Sequence, residues 1–139
     1  MQMRRIDVPI ELIAKRIRKL RKEYPETIFV FHTDATQAPA YCDLRVAPLG
    51  VDLMTLGATK LYGHKGVGVL YKRRALSIQP LVFGGGQEQG LRPGTVPAEL
   101  VHEFSFALEY AQMHREKETV RVRELQAYFE SALTTRFPS

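Results

Sequence analysis

Three short apolar runs, each closed by polar or charged residues, constrain this chain more than any other feature. They are TIFVFHT (Thr27 to Thr33), VDLMTL (Val51 to Leu56) and GVGVLYKR (Gly66 to Arg73). The first is β-branched and aromatic with no polar face, which predicts a buried strand over 27–33. The second has the same character, and the third alternates glycine with Val and Leu. Short helical or irregular segments separate the runs, so the pattern predicts an α/β layered sheet. Ahead of the first run, residues 7–23 predict a helix. Asp7 and Pro9 suit its start, and Ile10, Ile13, Ile17 and Leu20 fall on one stripe. Arg21 and Lys22 then occupy the last turn, where they complement the helix dipole. Tyr24 to Glu26 breaks the helix.

The segment FGGGQEQGLRPGT (Phe83 to Thr95) is too rich in glycine for a regular element and predicts a loop. From Pro97 the pattern is helical almost to the end. Val101, Phe104, Leu108 and Ala111 form one stripe, Leu125, Phe129 and Ala132 another, with a charged break expected at HREKE. Three strands and about forty residues of amphipathic helix leave apolar surface in search of a partner, which implies an oligomer or a further domain. With 139 residues, 45% hydrophobic and 25% charged, the chain has the bulk of one compact domain. Its formal charge of +5 gathers in KRIRKLRK (Lys15 to Lys22) and in the C-terminal helical stretch. A solvated helix face explains that clustering better than a nucleic-acid surface, since no recognition motif accompanies it. No apolar run reaches the length of a membrane span and no signal-peptide pattern opens the chain, so no membrane partner is expected. The single cysteine, Cys42, excludes an internal disulfide framework and suits a reducing, cytoplasmic setting.

Two residues stand where chemistry is expected. Asp34 follows the first strand run, with Gln37 three residues on; Lys60 follows the second run, after Gly57 and Ala58. Ligands of open α/β sheets bind at the C-terminal ends of strands, so a carboxylate and an amine would face one crevice. Desolvation there would make the lysine a nucleophile towards aldehydes. Alone, Asp34 is better explained as the cap of the next helix. Taken with Lys60 it matches what a pyridoxal phosphate enzyme needs, a carboxylate to keep the pyridine nitrogen protonated and an amine to hold the aldehyde. No metal cluster is expected.

HTDATQA, then GVDLMTLGATKLYGHKGVGVLYKRR, then GGGQEQGLRPGT resemble, in order and spacing, successive signatures of the cysteine desulfurases. These belong to the class V aminotransferase branch of fold-type I pyridoxal phosphate enzymes. The likeness runs from about Pro9 to Ala111. It implies residues 1–96 as the central part of a cofactor-binding large domain, a mainly parallel sheet with flanking helices. Residues 97–139 would form long helices connecting towards a C-terminal domain. It implies Asp34 at the pyridine nitrogen, Gln37 at the phenolic oxygen, Lys60 as the aldimine lysine that also shuttles the α-proton, and Thr59 as a hydroxyl donor to the cofactor. Thr95 would reach across a two-fold axis to the phosphate bound by the partner subunit. His32 would support the strand end, and Lys65 would mark a turn with its charge at the surface. The implied activity converts L-cysteine to L-alanine and leaves sulfur as an enzyme persulfide, in a homodimer that passes it to an acceptor or scaffold protein for iron–sulfur assembly or tRNA thiolation. A class V aminotransferase, a selenocysteine lyase or a degenerate interaction module that no longer catalyses are the other readings.

The likeness has departures. The family usually carries serine and histidine where Gly57 and Thr59 stand, both holding phosphate; Thr59 can still donate a hydroxyl bond and Gly57 cannot. Gln89 replaces a common arginine, and His64 a usual proline, loosening the turn before Gly66. The family's upstream phosphate loop and ring-stacking histidine, and its downstream persulfide cysteine and carboxylate-binding arginine, have no counterpart here. Cys42 reads as a small buried thiol and not as that nucleophile. The chain is therefore expected to be a central piece, inactive alone.

Overall fold

The computed structural model describes residues 9–137. Helix α1 (Ile10–Glu23) leads into strand β1 (His32–Asp34), the short helix α2 (Val46–Leu49), and strands β2 (Leu53–Gly57) and β3 (Gly68–Lys72). Single 3-10 turns span Ala58–Leu61 and Gln87–Gly90, and helix α3 (Ala98–Arg136) closes the chain. The sheet runs β1-β2-β3, with β1 parallel and β3 antiparallel to β2, so the α/β reading holds with a small mixed sheet.

α1 begins as Pro9 O accepts from the N–H groups of Leu12 and Ile13, both at 3.0 Å. Asp7, expected at this start, lies outside the described residues. The stripe of Ile10, Ile13, Ile17 and Leu20 is half-buried as its spacing implies, and Ala14 beside it is fully packed. Ala14 is small because α2 ends against it. Gly50 closes α2 with φ of 66°, and a β-carbon there would lie 3.0 Å from Ala14 Cβ and 2.6 Å from Arg18 Nη1. Both the left-handed backbone and the close approach demand glycine. Gly50→Ala is expected to cost about 2 kcal/mol, read as a lower urea midpoint at unchanged slope. A loss below a few tenths would show that the α1–α2 contact yields freely.

The buried strand expected over 27–33 is corrected. The ladder covers only His32–Asp34, and Ile28 is 88% exposed. β1 is an edge strand with one neighbour, so among the described residues no strand covers residues 28–30 on their outer side. They are tethered instead by side-chain bonds, Arg21 donating to Phe29 O at 2.7 Å. Along β2, Met54 and Leu56 point into the core with Val51, Ala58, Leu61 and Phe104 of α3. The opposite face of the sheet carries His32 and Asp34 beside Leu53 and Thr55, their register partners, as the two-residue period requires.

α3 runs unbroken for 39 residues, about 58 Å. The charged break expected at HREKE does not occur. Those residues are nearly all good helix formers, and charge on a solvated helix interrupts nothing. Phe104, Leu108 and Ala111 pack on the core as their stripe implies. Gln112 then latches the loop after β1, its amide donating to Pro39 O at 2.6 Å and Cys42 O at 2.8 Å while its oxygen accepts from Leu44 N–H at 3.3 Å. Beyond Thr119, which reaches Tyr41 O at 3.3 Å, the second stripe has no layer beneath it: Leu125 is 54% and Phe129 58% exposed.

Candidate functional site

Parallel pairing of β1 with β2 sets the geometry. Asp34 lies opposite Thr55, and Ala35 N–H extends the ladder to Thr55 O at 2.9 Å. The chain then turns away, Ala38 N–H bonding Ala35 O, which leaves Asp34 at the C-terminal strand end and Gln37 exposed in the turn beside it. Two residues before Asp34, His32 Nε2 meets Thr55 Oγ1 at 2.8 Å and ties the strands on this open face. Two residues after it, Thr36 N–H donates to Asp34 Oδ1 at 2.9 Å. That backbone bond, then the Thr36 hydroxyl, hold the Asp34 carboxyl below its ordinary range; burial opposes them, and the nearby His32 adds the least. Asp34 is therefore a carboxylate at neutral pH.

β2 passes directly into the 3-10 turn Ala58–Leu61. Ala58 and Leu61 are buried, and a turn of three residues directs the two between them outward, so Thr59 and Lys60 are exposed. Lys60 makes no ion pair among the described residues. The adjoining strand ends thus present Asp34 and Lys60 as the sequence pattern implies. The desolvated crevice is corrected: Lys60 lies on an open surface, because no layer among the described residues covers that end of the sheet. Thr95 is exposed in the loop before α3, and no hydrogen bond joins it to the other four residues among those described. The loop itself is held by Gln87, whose Oε1 accepts from Gly94 N–H at 3.2 Å, with Glu88 and Gln89 both in left-handed backbone.

Lys65 is exposed in the turn before Gly66, whose φ is 93°. His64 does not simply loosen that turn; its Nε2 lies 3.6 Å from Glu103 Oε2 on α3. Cys42 is corrected from buried to exposed. Its backbone carbonyl accepts from the Gln112 amide at 2.8 Å, which fixes the backbone with the residue at the surface.

The residue that sequence reasoning missed is Asp52. It opens β2's apolar run, is 2% exposed, and accepts from Arg21, from Arg73 Nε at 2.9 Å and from Phe31 N–H at 2.8 Å. A charge inside an apolar run was the available signal, because a buried carboxylate needs partners. Arg21, read as a complement to the helix dipole, is one of them.

The chain matches the aminotransferase class-V family over residues 11–136. It is 41% identical over 115 residues to the cysteine desulfurase IscS of Dictyoglomus turgidum, covering 83% of this chain and 28% of that protein. It is 43% identical over 112 residues to the human cysteine desulfurase, covering 79% of this chain and 23% of the relative. Among solved structures, a NifS-like protein of Rickettsia africae superposes with a TM-score of 0.79 at 26% identity, over 93% of this chain and 34% of that one. The chain therefore spans 23% to 34% of the length of these relatives.

Proposed function

This chain belongs to the aminotransferase class-V family, and from that premise we propose that it is the cofactor half-site of a pyridoxal-phosphate-dependent cysteine desulfurase. The observation that carries the reading is the pairing of β1 with β2, which sets Asp34 and the Lys60 turn at adjoining C-terminal strand ends. The donor set fits the cofactor at two of its three handles. Asp34, its carboxyl lowered further by Thr36, would hold a proton at the pyridine nitrogen, and Gln37 would offer its amide to the phenolic oxygen. The Lys60 amine would hold the aldehyde and, once released, would take the α-proton of bound L-cysteine. When bound, the cofactor supplies the electron sink for the carbanion so formed. At the third handle, the phosphate, Thr59 offers one hydroxyl and Gly57 none. Sulfur transfer to a thiol and recognition of the substrate carboxylate fall to parts of the relatives this chain does not span.

The rest of the reading follows. Residues 1–96 belong to the cofactor domain and 97–139 to a connector. The exposed second stripe of α3 supports a homodimer or a further domain as its cover, with Thr95 acting across the dimer and an acceptor or scaffold protein receiving the sulfur. The one cysteine supports a reducing, cytoplasmic setting. No described helix is long and apolar enough to cross a membrane.

The phosphate end yields a direct test. A β-carbon on Gly57 would lie 3.4 Å from Thr36 Cγ2, an ordinary contact, so a side chain fits there. Gly57→Ser combined with Thr59→His is expected to tighten uptake of pyridoxal phosphate, followed by its absorbance, about tenfold, the worth of a charge-assisted bond. Equal affinity of the double variant and the parent would remove phosphate binding at this turn from the reading.

A further inference from the structure

Thr36 is not among the residues assigned to the cofactor, yet it lies against both halves of the site. On one side its N–H reaches Asp34 Oδ1 at 2.9 Å. On the other its methyl stands over Gly57, the last residue of β2, where an added β-carbon would meet Thr36 Cγ2 at 3.4 Å and Thr36 Cβ at 3.9 Å. The turn that carries Lys60 starts at the next residue, Ala58. Thr36 is itself half-buried, while Asp34, Gln37, Thr59 and Lys60 are exposed, so it is better fixed than any residue it would serve. A threonine suits both duties: its β-branch restricts the χ1 angle, so placing the methyl also places the hydroxyl.

We propose, on the reading given under Proposed function, that Thr36 is a positioning residue that couples the two ends of the cofactor half-site. Its N–H orients the Asp34 carboxylate with the hydroxyl as a second donor, and its methyl, facing the space beside Gly57, sets the distance from that carboxylate to the Lys60 turn. The depressed acidity range of Asp34 agrees with this, Thr36 supplying the two leading causes. The one titratable group that adds to them is His32 on β1 itself. Across the strand pair the register partner of Asp34 is the uncharged Thr55.

The two duties separate in two variants of the full chain. Thr36→Val keeps the methyl and the backbone N–H and removes the hydroxyl. Thr36→Ser keeps the hydroxyl and removes the methyl. The measurements are the titration of the Asp34 carboxyl carbon by NMR, without cofactor, and the pH profile of pyridoxal phosphate uptake by absorbance. Thr36→Val is expected to raise the Asp34 midpoint, move the acid limb of uptake upward in step, and weaken uptake about fivefold at that limb. The sign follows from losing a donor to the ionised form, which lets the carboxyl protonate at higher pH. Thr36→Ser is expected to leave the Asp34 midpoint in place and weaken uptake at every pH. An Asp34 titration unmoved by Thr36→Val, or raised equally by Thr36→Ser, overturns the proposal. Should the parent chain bind no pyridoxal phosphate, the cofactor reading fails, and the Asp34 titration still decides the role of Thr36.

Discussion

Lys60→Ala is expected to abolish the borohydride-stable pyridoxal adduct that the parent chain forms. The chain has seven lysines, and any exposed amine reacts with an aldehyde to some extent, so the informative quantity is selectivity. Lys60 alone stands at a strand end beside a carboxylate that favours a protonated pyridine nitrogen. Two contacts on one small ligand convert the second into an intramolecular event, which raises the local concentration of aldehyde at that amine well above bulk. Peptide mapping after reduction should therefore find Lys60 labelled at least about tenfold above Lys65, which is equally exposed but five residues away in the next turn. Lys65→Ala should leave the yellow adduct intact. Asp34→Ala should reduce the preference without removing the amine. Label spread evenly over the lysines, or undiminished in Lys60→Ala, would sink the assignment and favour a module that has kept the fold and lost the chemistry.

The features behind this selectivity differ widely in how far the sequence reveals them. The strand ends could be read from local sequence because each apolar run stops at a polar residue, and parallel pairing then fixes which ends adjoin. Asp34, Gln37, Thr59, Lys60 and Thr95 were picked out as a set by the family resemblance, and their roles at the cofactor stand as proposed. What could not be read was environment. Thr27 to Val30 have the composition of a core strand, and Lys60 the surroundings of a buried amine, but burial depends on layers that a local pattern does not contain. The same limit explains Cys42, where a bond from Gln112, seventy residues away, decides which way the backbone faces. It also explains α3, whose charged midsection looks like a break only when the helix is judged by amphipathicity. The role of Asp52 was hidden differently. Its partners Arg21 and Arg73 are distant in sequence, so a buried ion cluster looked like one polar residue in an apolar run.

That cluster carries the largest expected effect on stability. Asp52→Ala is expected to lose about 3 kcal/mol, because a buried carboxylate serving three donors is removed and Phe31 N–H is left without its partner. For a chain of this size the loss corresponds to a melting midpoint lower by about 10 °C. The two arginines should contribute unequally. Arg73 is 49% exposed and can turn to water, so Arg73→Ala should cost about 1 kcal/mol or less. Arg21 is 27% exposed and also holds Phe29 O, so its loss should fall between the other two. The residues Asp52 joins explain why the effect reaches the site. Arg21 belongs to α1, Phe31 leads into β1, and Arg73 follows β3, so one carboxylate sets where β1 starts relative to β2. Since β1 has only three ladder residues, its register leans on this anchor and on the His32–Thr55 bond. Asp52→Ala should therefore also lower the selectivity of Lys60 labelling at a temperature where both proteins remain folded, although Asp52 touches neither Asp34 nor Lys60. Urea unfolding of the three single variants and the Asp52/Arg73 double variant measures the coupling. Equal costs for Asp52→Ala and Arg73→Ala would mean that the buried carboxylate is not the centre of the anchor.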